Sequence, residues 1–419
     1  MFFSAWVEID LDALGHNIGE VRRLVGDDLG VMFVVKADAY GHGAVEVARV
    51  AVQSGVDMLG VATLQEGIEL RQAGIAAPIL ILSPPMESET PDIVEYDLCC
   101  TVPSLAIARA LSRAAGARSK AAAVHVEVDT GMGRSGVEFE DAIPFITAVS
   151  KLPDLVLEGV FTHFPSSDED PDYTRRQVER FLRAVDRLSA KGVAVPLVHA
   201  ANSGAVLGVS ESFSGPLNMV RPGLMIYGLR PSLGVGPEAD LVPVMSFKAR
   251  IAQIRDLPEG HPVSYGRTYV APGPMRAAVI PAGYGHGMSF RLSNRGEVLI
   301  RGVRAPIIGR VTMDVTMVDL SGVPEAAVGD EVVIFGSQGD AEISVDEIAE
   351  NVGTINYEVI CGIGKRVARV YVKSGEPIGM RTLTERRVVG RRRWAASSPP
   401  EPVPRSGVSG DSGGTSRGS

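Results

Sequence analysis

Short apolar segments recur along the first half of the chain, and most are separated by stretches with apolar residues at helical spacing. The apolar segments cover residues 31–36, 57–62, 78–82, 98–102, 122–128, 155–161, 196–200 and 217–221. The helical patterns cover residues 44–54, 64–73, 104–115, 140–151 and 173–190. Strands that are apolar throughout are typical of parallel sheets covered on both faces. The pattern predicts a (β/α)8 barrel; a doubly wound open sheet is the alternative, although no GxGxxG motif follows the first of these strands.

The pattern changes near residue 238, where short strands separated by Gly and Pro replace the alternation. The strands are predicted at residues 242–254, 277–280, 298–300, 315–318 and 331–335, with one helix at 344–355 that Ser344 can cap. We therefore expect a barrel domain over residues 1–237, led by a short strand at 5–9 and a helix capped by Asp10, and a smaller, mostly β domain over residues 238–375.

The last segment, residues 376–419, begins with a basic cluster and continues with Ser, Gly and Pro. The cluster consists of Arg386, Arg387, Arg391, Arg392 and Arg393. Such a composition buries too little apolar surface to offset the entropy of ordering. We expect a disordered tail without a catalytic role, and a solvated tail is favoured over contact with an acidic partner.

Composition narrows the class of protein. The chain has 419 residues, a net charge of −9 and a pI of about 5.4, which argues against nucleic acid or an anionic membrane as the main partner. Three cysteines without CxxC spacing favour a reducing cytoplasm and predict neither structural disulfides nor a metal site. The acidic start lacks the basic region of a signal peptide, and no apolar run is long enough to span a bilayer.

Polar residues follow the predicted barrel strands at their carboxyl ends, where this fold places its active site. Lys36 ends the first of these strands; its position alone fits a surface lysine, whereas a desolvated lysine suits Schiff-base chemistry. The further candidates are Tyr40, Arg134, His163, Asn202, Ser203, Gly204, Arg221, Gly223 and Tyr227. Loops after the last two barrel strands often bind phosphate, and Ser203, Gly204 and Gly223 suit that purpose.

Seven motifs extend this pattern over nearly the whole folded part of the chain. They are VVKADAYGHG around Lys36, DTGMGR ending at Arg134, NSG from Asn202, RPG from Arg221, VSYGRTY around Tyr265, GYG around Tyr284, and GRVTMD ending at Asp314. With these motifs, residues 6–371 resemble the alanine racemases, fold-type III enzymes that use pyridoxal 5'-phosphate. The resemblance implies interconversion of L- and D-alanine, supplying D-alanine for peptidoglycan.

The resemblance also implies roles for individual residues. Lys36 would hold the cofactor and act as a base on one face of the substrate α-carbon, with Tyr265 as the acid/base on the other. His163 would lie against Tyr265, with Arg221 behind it and facing the pyridine nitrogen. Arg134 and the Met313 backbone amide would bind the substrate carboxylate, Tyr284 would favour a small substrate, and Asp314 would be a supporting residue. The phosphate and ring would be held by Tyr40, Asn202, Ser203, Gly223 and Leu224.

In this family the tyrosine reaches the lysine of the other subunit, so a homodimer with two shared sites is implied. The family also pairs its N-terminal strand with the β domain.

Two positions depart from the family pattern. Glu127 stands where many members have a carbamylated lysine, and we expect its negative charge to orient Arg134. Lys365 stands where members often have a tyrosine near the phosphate and the substrate entrance. As a cofactor-binding candidate it could pair with the phosphate, or it could leave more room beside the α-carbon substituent, which puts the preference for alanine over serine or another small amino acid in doubt.

Two other functions remain open from the sequence. A fold-type III decarboxylase is disfavoured by Arg221 near the ring nitrogen and by the pairing of Lys36 with Tyr265. A non-catalytic cofactor-binding protein is disfavoured by the complete β domain with Tyr265 and Met313.

Overall fold

The computed structural model describes residues 3–384 and 386–388. After β1 (Ala5–Asp10), eight parallel strands form a closed barrel: β2 (Gly30–Val34), β3 (Met58–Val61), β4 (Ile79–Ile81), β5 (Cys99–Thr101), β6 (Ala122–Asp129), β8 (Leu155–Phe161), β9 (Leu197–His199) and β10 (Met219–Val220). A short strand, β7 (Val137–Glu138), pairs only with β6. Pairing of β5 with β6 closes the ring, which confirms the predicted (β/α)8 barrel.

Helices connect the barrel strands, because their amphipathic sequences bury one face against the sheet. The chain contains α1 (Leu11–Val25), the short segment α2 (Lys36–Tyr40), α3 (Ala44–Gln53), α4 (Leu64–Gln72), α5 (Thr90–Glu95), α6 (Leu105–Gly116), α7 (Phe139–Val149), α8 (Pro171–Ala190), α9 (Ser203–Gly208), α10 (Val345–Val352) and α11 (Asn356–Cys361). Asp10 and Ser344 cap α1 and α10 as predicted. Within the described part of the chain, no helix is both long and apolar enough to cross a membrane.

The second domain is mostly β-structure. Its strands are β11 (Met245–Arg250), β12 (Gln253–Leu257), β13 (Pro262–Val263), β14 (Tyr269–Val270), β15 (Met275–Ile280), β16 (Glu297–Ile300), β17 (Val303–Ile308), β18 (Thr316–Asp319), β19 (Glu331–Gln338), β20 (Ala341–Ile343), β21 (Ala368–Lys373), β22 (Glu376–Arg381) and β23 (Arg386–Val388). The main sheet has the order β12-β15-β18-β17-β16-β19-β11-β1-β21-β22-β23. The predicted single strand at 242–254 is wrong, because residues 251 and 252 separate β11 from β12.

The N-terminal strand belongs to the β domain, as the family resemblance implied. β1 is antiparallel to β11 and parallel to β21, and Val7 lies opposite both Phe247 and Arg369. Asn17 on α1 reinforces this junction: its buried amide donates to the carbonyls of Ile226 and Val242 at 3.0 and 2.8 Å. The lead-in strand and first helix therefore fix the β domain against the barrel.

The β domain extends beyond the predicted boundary at residue 375. Strand β22 pairs with β21, and β23 pairs with β22, so the predicted disordered tail at 376–419 is wrong for its first part. Each added strand satisfies the backbone groups that its neighbour would leave open at the sheet edge. Arg386 and Arg387 lie in β23; Arg391, Arg392, Arg393 and the Ser/Gly/Pro-rich end lie outside the described residues. The boundary at residue 237/238 stays a prediction and falls in the connection between β10 and β11.

Gly43 illustrates how closely the β domain packs on the barrel. It has φ +100°, and a Cβ atom there would lie 2.0 Å from the hydroxyl of Tyr371 on β21. Gly55 has a similar φ of +84° with no atom within 4 Å of such a Cβ, so it provides a matched control. We expect Gly55→Ala to lower the free energy of unfolding by about 1 kcal/mol through backbone strain alone. Gly43→Ala should cost at least about 2 kcal/mol more, because the buried tyrosine must move.

Urea denaturation of both variants measures this difference. Equal midpoints for Gly43→Ala and Gly55→Ala would show that the two domains do not pack as closely as the structure describes.

Candidate active site

A cavity of about 510 Å³ opens at the carboxyl ends of the barrel strands. This size is typical of small-molecule and cofactor sites. The residues expected there that line it are Lys36, Tyr40, Glu127, Arg134, His163, Asn202, Ser203, Arg221, Gly223 and Leu224. Lining residues that the sequence did not single out include Leu82, Ser83, Pro84, Phe161 and Tyr357. The fold therefore brings these ten predicted residues together in one cavity.

Lys36 follows the buried strand β2 and is half-buried at the cavity wall. Burial lowers the pKa of its ammonium group, and the positive charge of Arg134 lowers it further. The negative charge of Glu66 opposes the shift only in part. The environment thus favours the neutral amine, the form that attacks a carbonyl or accepts a proton.

The backbone after Lys36 makes a left-handed turn. Residues 37–40 have φ values of 52°, 56°, 53° and 52°, although none of them is glycine. The turn returns Tyr40 to the cavity that Lys36 lines. Glu66 supports its first residue, because the carboxylate accepts a hydrogen bond from the Ala37 amide at 2.7 Å. Four successive residues in this region are rare, since each costs about 1–2 kcal/mol relative to a right-handed conformation.

Arg221 forms a buried cationic floor for the cavity. Its guanidinium donates to the carbonyls of Thr162 and Ala200 at 2.7 and 3.0 Å and lies over the ring of Phe161. Burial lowers the pKa of Arg221 to about 10, while the negative charge of Glu127 acts in the opposite direction. The group is therefore still a cation at neutral pH.

A buried chain of hydrogen bonds leads from Arg221 into the barrel. Arginine can only donate, so the 2.8 Å contact from Arg221 requires His199 Nδ1 to accept. His199 Nε2 then donates to His125 Nδ1 at 2.9 Å, and His125 Nε2 donates to Glu158 at 3.0 Å. Gly159 leaves room for this contact, since a Cβ there would lie 2.4 Å from His125 Nδ1. These contacts define one tautomer for each histidine.

His163 lies beside Arg221 in the same cavity. Arg221 Nη2 approaches His163 Nδ1 at 3.3 Å, which assigns the imidazole proton to Nε2. Burial and the charges of Arg221, Arg134 and Lys36 hold the pKa of His163 well below its usual range. The ring is therefore a neutral donor at Nε2.

The loops after β9 and β10 meet at Ser203. Its hydroxyl oxygen accepts hydrogen bonds from the amides of Gly223 and Met225, at 2.9 and 3.3 Å. A Cβ at Gly223 would lie 2.8 Å from the Tyr40 hydroxyl, so a side chain there would displace Tyr40. Asn202 caps α9 by accepting from the Ala205 amide at 3.0 Å. Hydroxyl groups and backbone amides thus converge at one end of the cavity.

Arg134 is exposed at the cavity mouth, on a loop shaped by Asp129. The Asp129 carboxylate accepts from the amides of residues 131, 132 and 133 at 2.8–2.9 Å. Within the described part of the chain, Arg134 has no ion pair with Glu127, which was expected to orient it. Glu127 instead accepts a hydrogen bond from the Ser135 hydroxyl at 2.7 Å. Any influence of Glu127 on the position of Arg134 therefore acts through the neighbouring residue.

The expected role of Lys365 beside the phosphate stays a prediction. Lys365 is exposed and does not line this cavity, whereas Tyr357 on α11 does. The Tyr357 ring lies 6.0 Å from that of Tyr40, and burial raises its pKa to about 12. The aromatic group beside the phosphate corner is therefore Tyr357, because α11 packs against α2 and Lys365 follows beyond its end.

Besides Lys365, four expected site residues lie outside the cavity, on the surface of the β domain: Tyr265, Tyr284, Met313 and Asp314. Tyr265, Tyr284 and Met313 are 73%, 47% and 52% exposed. The loops that carry them contact one another. The Tyr284 amide donates to the Thr312 carbonyl at 2.9 Å.

Ser264 and Arg366 fix these loops further. The Ser264 hydroxyl donates to the Arg310 carbonyl at 2.6 Å. Arg366 bonds to the Gly285 and Met313 carbonyls and pairs with Asp314 at 2.8 Å. We call residues 264–267, 283–286 and 310–314 the exposed loop cluster.

The fold and the cavity together define the class of protein. A closed barrel with a half-buried lysine after its first strand, followed by a mostly β domain, is the architecture of fold-type III enzymes. Two family models cover both parts: the alanine racemase N-terminal domain matches residues 9–231, and the C-terminal domain matches residues 244–371. The chain belongs to the alanine racemase family.

Individual relatives agree with this assignment. Alanine racemase 2 of Caldanaerobacter subterraneus subsp. tengcongensis is 47% identical over 372 residues, covering 88% of this chain and 95% of the relative. The structure of alanine racemase from Clostridium difficile 630 has a TM-score of 0.87 and 37% identity, covering 91% of this chain and 99% of that one. Alanine racemase from Bacillus anthracis with bound L-Ala-P has a TM-score of 0.85 and 37% identity over 92% and 99% of the two chains.

The buried histidines predict acid sensitivity. Burial lowers the pKa of His42 to about 4, whereas an unfolded histidine titrates near about 6.5. Below about pH 6.5 the unfolded chain binds more protons than the folded chain does. The stabilisation from neutral His42 is therefore complete above this pH and is lost as the pH falls toward 4. Between pH 7 and 5, His42 alone should lower the free energy of unfolding by about 2 kcal/mol.

Urea denaturation at both pH values measures this loss, with His42→Gln as the variant that lacks the titrating group. The variant should lose about 2 kcal/mol less than the unaltered chain between the two pH values. An identical pH dependence in the two proteins would contradict the assignment of a neutral, buried His42.

Proposed function

We propose that this chain is a pyridoxal 5'-phosphate-dependent alanine racemase that works as a homodimer with shared sites. One observation carries the proposal. Lys36 lies in the barrel cavity, whereas Tyr265, expected opposite it, is largely exposed on the β domain. Tyr265 must act beside Lys36 but lies on the surface of its own chain. A second copy of the chain would bring its Tyr265 to the cavity.

The cavity fits the proposed cofactor. Lys36 would bind its aldehyde, and the phosphate would lie among Tyr40, Ser203, Gly223 and the amide of Leu224. The close approach of Gly223 to the Tyr40 hydroxyl supports this, because the corner has polar groups and no room for a side chain. Asn202 acts on the same corner by holding the loop after β9. When bound, the cofactor withdraws electrons from the substrate α-carbon and makes its proton removable.

Racemisation requires one group that removes the α-proton and another that returns a proton from the opposite face. Lys36 is suited to the first role, since its lowered pKa favours the neutral amine. Tyr265 of a second copy would serve the other face. The Nε2 proton of His163 is available as a hydrogen-bond donor to that tyrosine oxygen, with Arg221 fixing the ring from behind.

Arg221 selects the reaction. As a buried cation it would face the pyridine nitrogen and keep that nitrogen unprotonated, because two positive charges would repel each other. The chain His199–His125–Glu158 holds the guanidinium in place. A weaker electron sink limits side reactions such as transamination, and no contact in the cavity favours the decarboxylase that the sequence left open.

Arg134 would bind the substrate carboxylate at the mouth of the cavity. Its guanidinium has no carboxylate partner among the described residues, so its donors remain available for a bidentate contact. The Met313 amide of the second copy would help. Glu127 contributes a negative charge beneath the loop through Ser135.

The exposed loop cluster is the proposed contact with the second copy. It presents Tyr265, Tyr284 and Met313 together, and such apolar side chains are enriched at protein interfaces. Arg366 links two of its loops and pairs with Asp314. Burial of these side chains in the partner's cavity mouth would complete each site and exclude water from it.

Alanine is the proposed substrate, as the names of the relatives suggest. Serine or another small amino acid remains the alternative substrate, because Lys365 departs from the family pattern and lies outside the cavity of its own chain, as Tyr265 does. The D-alanine formed would supply peptidoglycan. A cytoplasmic location is proposed with it, since Cys99, Cys100 and Cys361 are all free thiols.

The test is the incubation of the purified chain with the cofactor and L-alanine. We expect L- and D-alanine to approach equal amounts by chiral chromatography, without release of carbon dioxide. Tyr265→Phe should lower kcat by at least about 100-fold, the usual contribution of an acid/base group. In deuterated water this variant should still exchange the α-proton of one enantiomer, because Lys36 remains, but not of the other.

Tyr269→Phe is the matched control, because it removes a hydroxyl group from a nearby strand of the same domain. Tyr269→Phe should keep the kcat and the α-proton exchange of the unaltered chain. Carbon dioxide release without D-alanine, or equal loss of exchange for both enantiomers in Tyr265→Phe, would contradict the proposal.

A further inference from the structure

Strand β22, which the sequence assigned to a disordered tail, contacts the turn that carries Lys36. Its last residue, Arg381, donates from Nη1 to the Asp38 carboxylate at 2.7 Å, and Nη2 bonds to the second carboxylate oxygen. The side chains of Arg381 and Asp38 are only 20% and 34% exposed. A bidentate, largely buried pair has a defined geometry that most surface pairs lack.

Asp38 occupies the middle of the left-handed turn, with φ +56°. Its carboxylate also accepts from the Ala44 amide at 2.9 Å, which joins the turn to the start of α3. Burial by itself would raise the pKa of Asp38, but the hydrogen bond and charge of Arg381 lower it overall. Asp38 therefore remains an ionised anchor on a stretch of backbone that prefers another conformation.

A second arginine shows that the β domain contacts the turn at more than one point. Arg369 on β21 donates from Nε to the Gly41 carbonyl at 3.1 Å. Its other donors bond to carbonyls of residues 363, 364 and 367, so the β-domain backbone fixes its position. Arg381 differs because it bonds to a side chain, the Asp38 carboxylate, and lowers the pKa of that carboxylate.

We propose that Arg381 is a positioning residue that holds Lys36 and Tyr40 in place through Asp38. The inference rests on the proposed function, in which Lys36 binds the cofactor aldehyde and Tyr40 its phosphate. Loss of the pair removes two charge-assisted hydrogen bonds from a strained turn and leaves the half-buried Asp38 carboxylate without a directly bonded cation. The turn then relaxes, and the two cofactor-binding groups lose their mutual alignment, although neither contacts Arg381.

The test compares Arg381→Gln, Asp38→Asn and the double variant in the full-length chain. The Asn side-chain oxygen can still accept from the Ala44 amide, so Asp38→Asn removes the charge and keeps the local bond. The first readout is the dissociation constant for pyridoxal 5'-phosphate, from the absorbance of the lysine-bound cofactor. The second is amide hydrogen exchange of residues 36–44 without cofactor, which needs no chemistry at Lys36.

We expect each single variant to weaken cofactor binding about tenfold and to speed exchange in residues 36–44 by about the same factor, as for a lost charged hydrogen bond. The double variant should be no worse than either single one, because all three remove the same pair. Arg381→Lys, which keeps the charge, should recover part of the affinity. Arg301→Gln is the control: its pair with Asp330 lies elsewhere in the β domain, and its loss should alter neither readout.

Unaltered cofactor affinity and exchange in Arg381→Gln would overturn the inference, as would strictly additive effects in the double variant. If Arg381→Gln does not fold, Asp38→Asn and Arg381→Lys provide the same comparison. Failure of the proposed function has a different signature, because the unaltered chain itself would then form no D-alanine from L-alanine.

Discussion

The structure depends on the left-handed turn that follows Lys36. A strand that ends in the barrel must deliver a lysine and, four residues later, a tyrosine to one cavity. The backbone achieves this with four successive positive φ values at residues without the freedom of glycine. Such a turn persists only when its surroundings over-determine it. Glu66 supports its start, and Arg369, Tyr371 and Arg381 pack on its far side, so the β domain is part of the barrel's active site.

The two domains contribute different groups to the site. The barrel supplies a floor cation, a neutral histidine and a lysine with a lowered pKa, all in one cavity. The β domain holds the turn from behind with one surface and presents Tyr265, Tyr284 and Met313 on another. In the proposed dimer, the same domain would support its own barrel and complete the neighbour's site, so the chain would need both halves.

Much of the fold could be predicted from the sequence, because continuous apolar runs and helical spacing are local signals. All the barrel strands appear within two residues of their predicted ends. Strand β22 was missed because its short sequence contains Pro377 and Gly379 and acquires its structure only by pairing with β21. The left-handed turn was missed because no glycine marks residues 37–40, and long-range contacts impose its conformation.

The site residues that follow barrel strands could be predicted from the sequence. Those that enter the cavity from a distant element could not. Tyr357 enters the cavity from α11. No pattern in the sequence around it predicts that this residue lines the cavity. The buried pair of His125 and His199 depends on the space left by Gly159, which the sequence presents as an ordinary strand glycine. Glu127 was expected beside Arg134 and lies against Ser135, because the loop shaped by Asp129 turns between them.

The central claim is that each active site takes Lys36 from one chain and Tyr265 from another. Subunit mixing tests it most directly: inactive Lys36→Ala chains are unfolded and refolded together with inactive Tyr265→Phe chains. In a shared site, each mixed dimer contains one site with both native residues. Equal mixing therefore predicts about a quarter of the unaltered activity, since about half the dimers are mixed and each has one working site of two. A mixture that dimerises but stays as inactive as its components would show that each site is built within one chain, and would contradict the account.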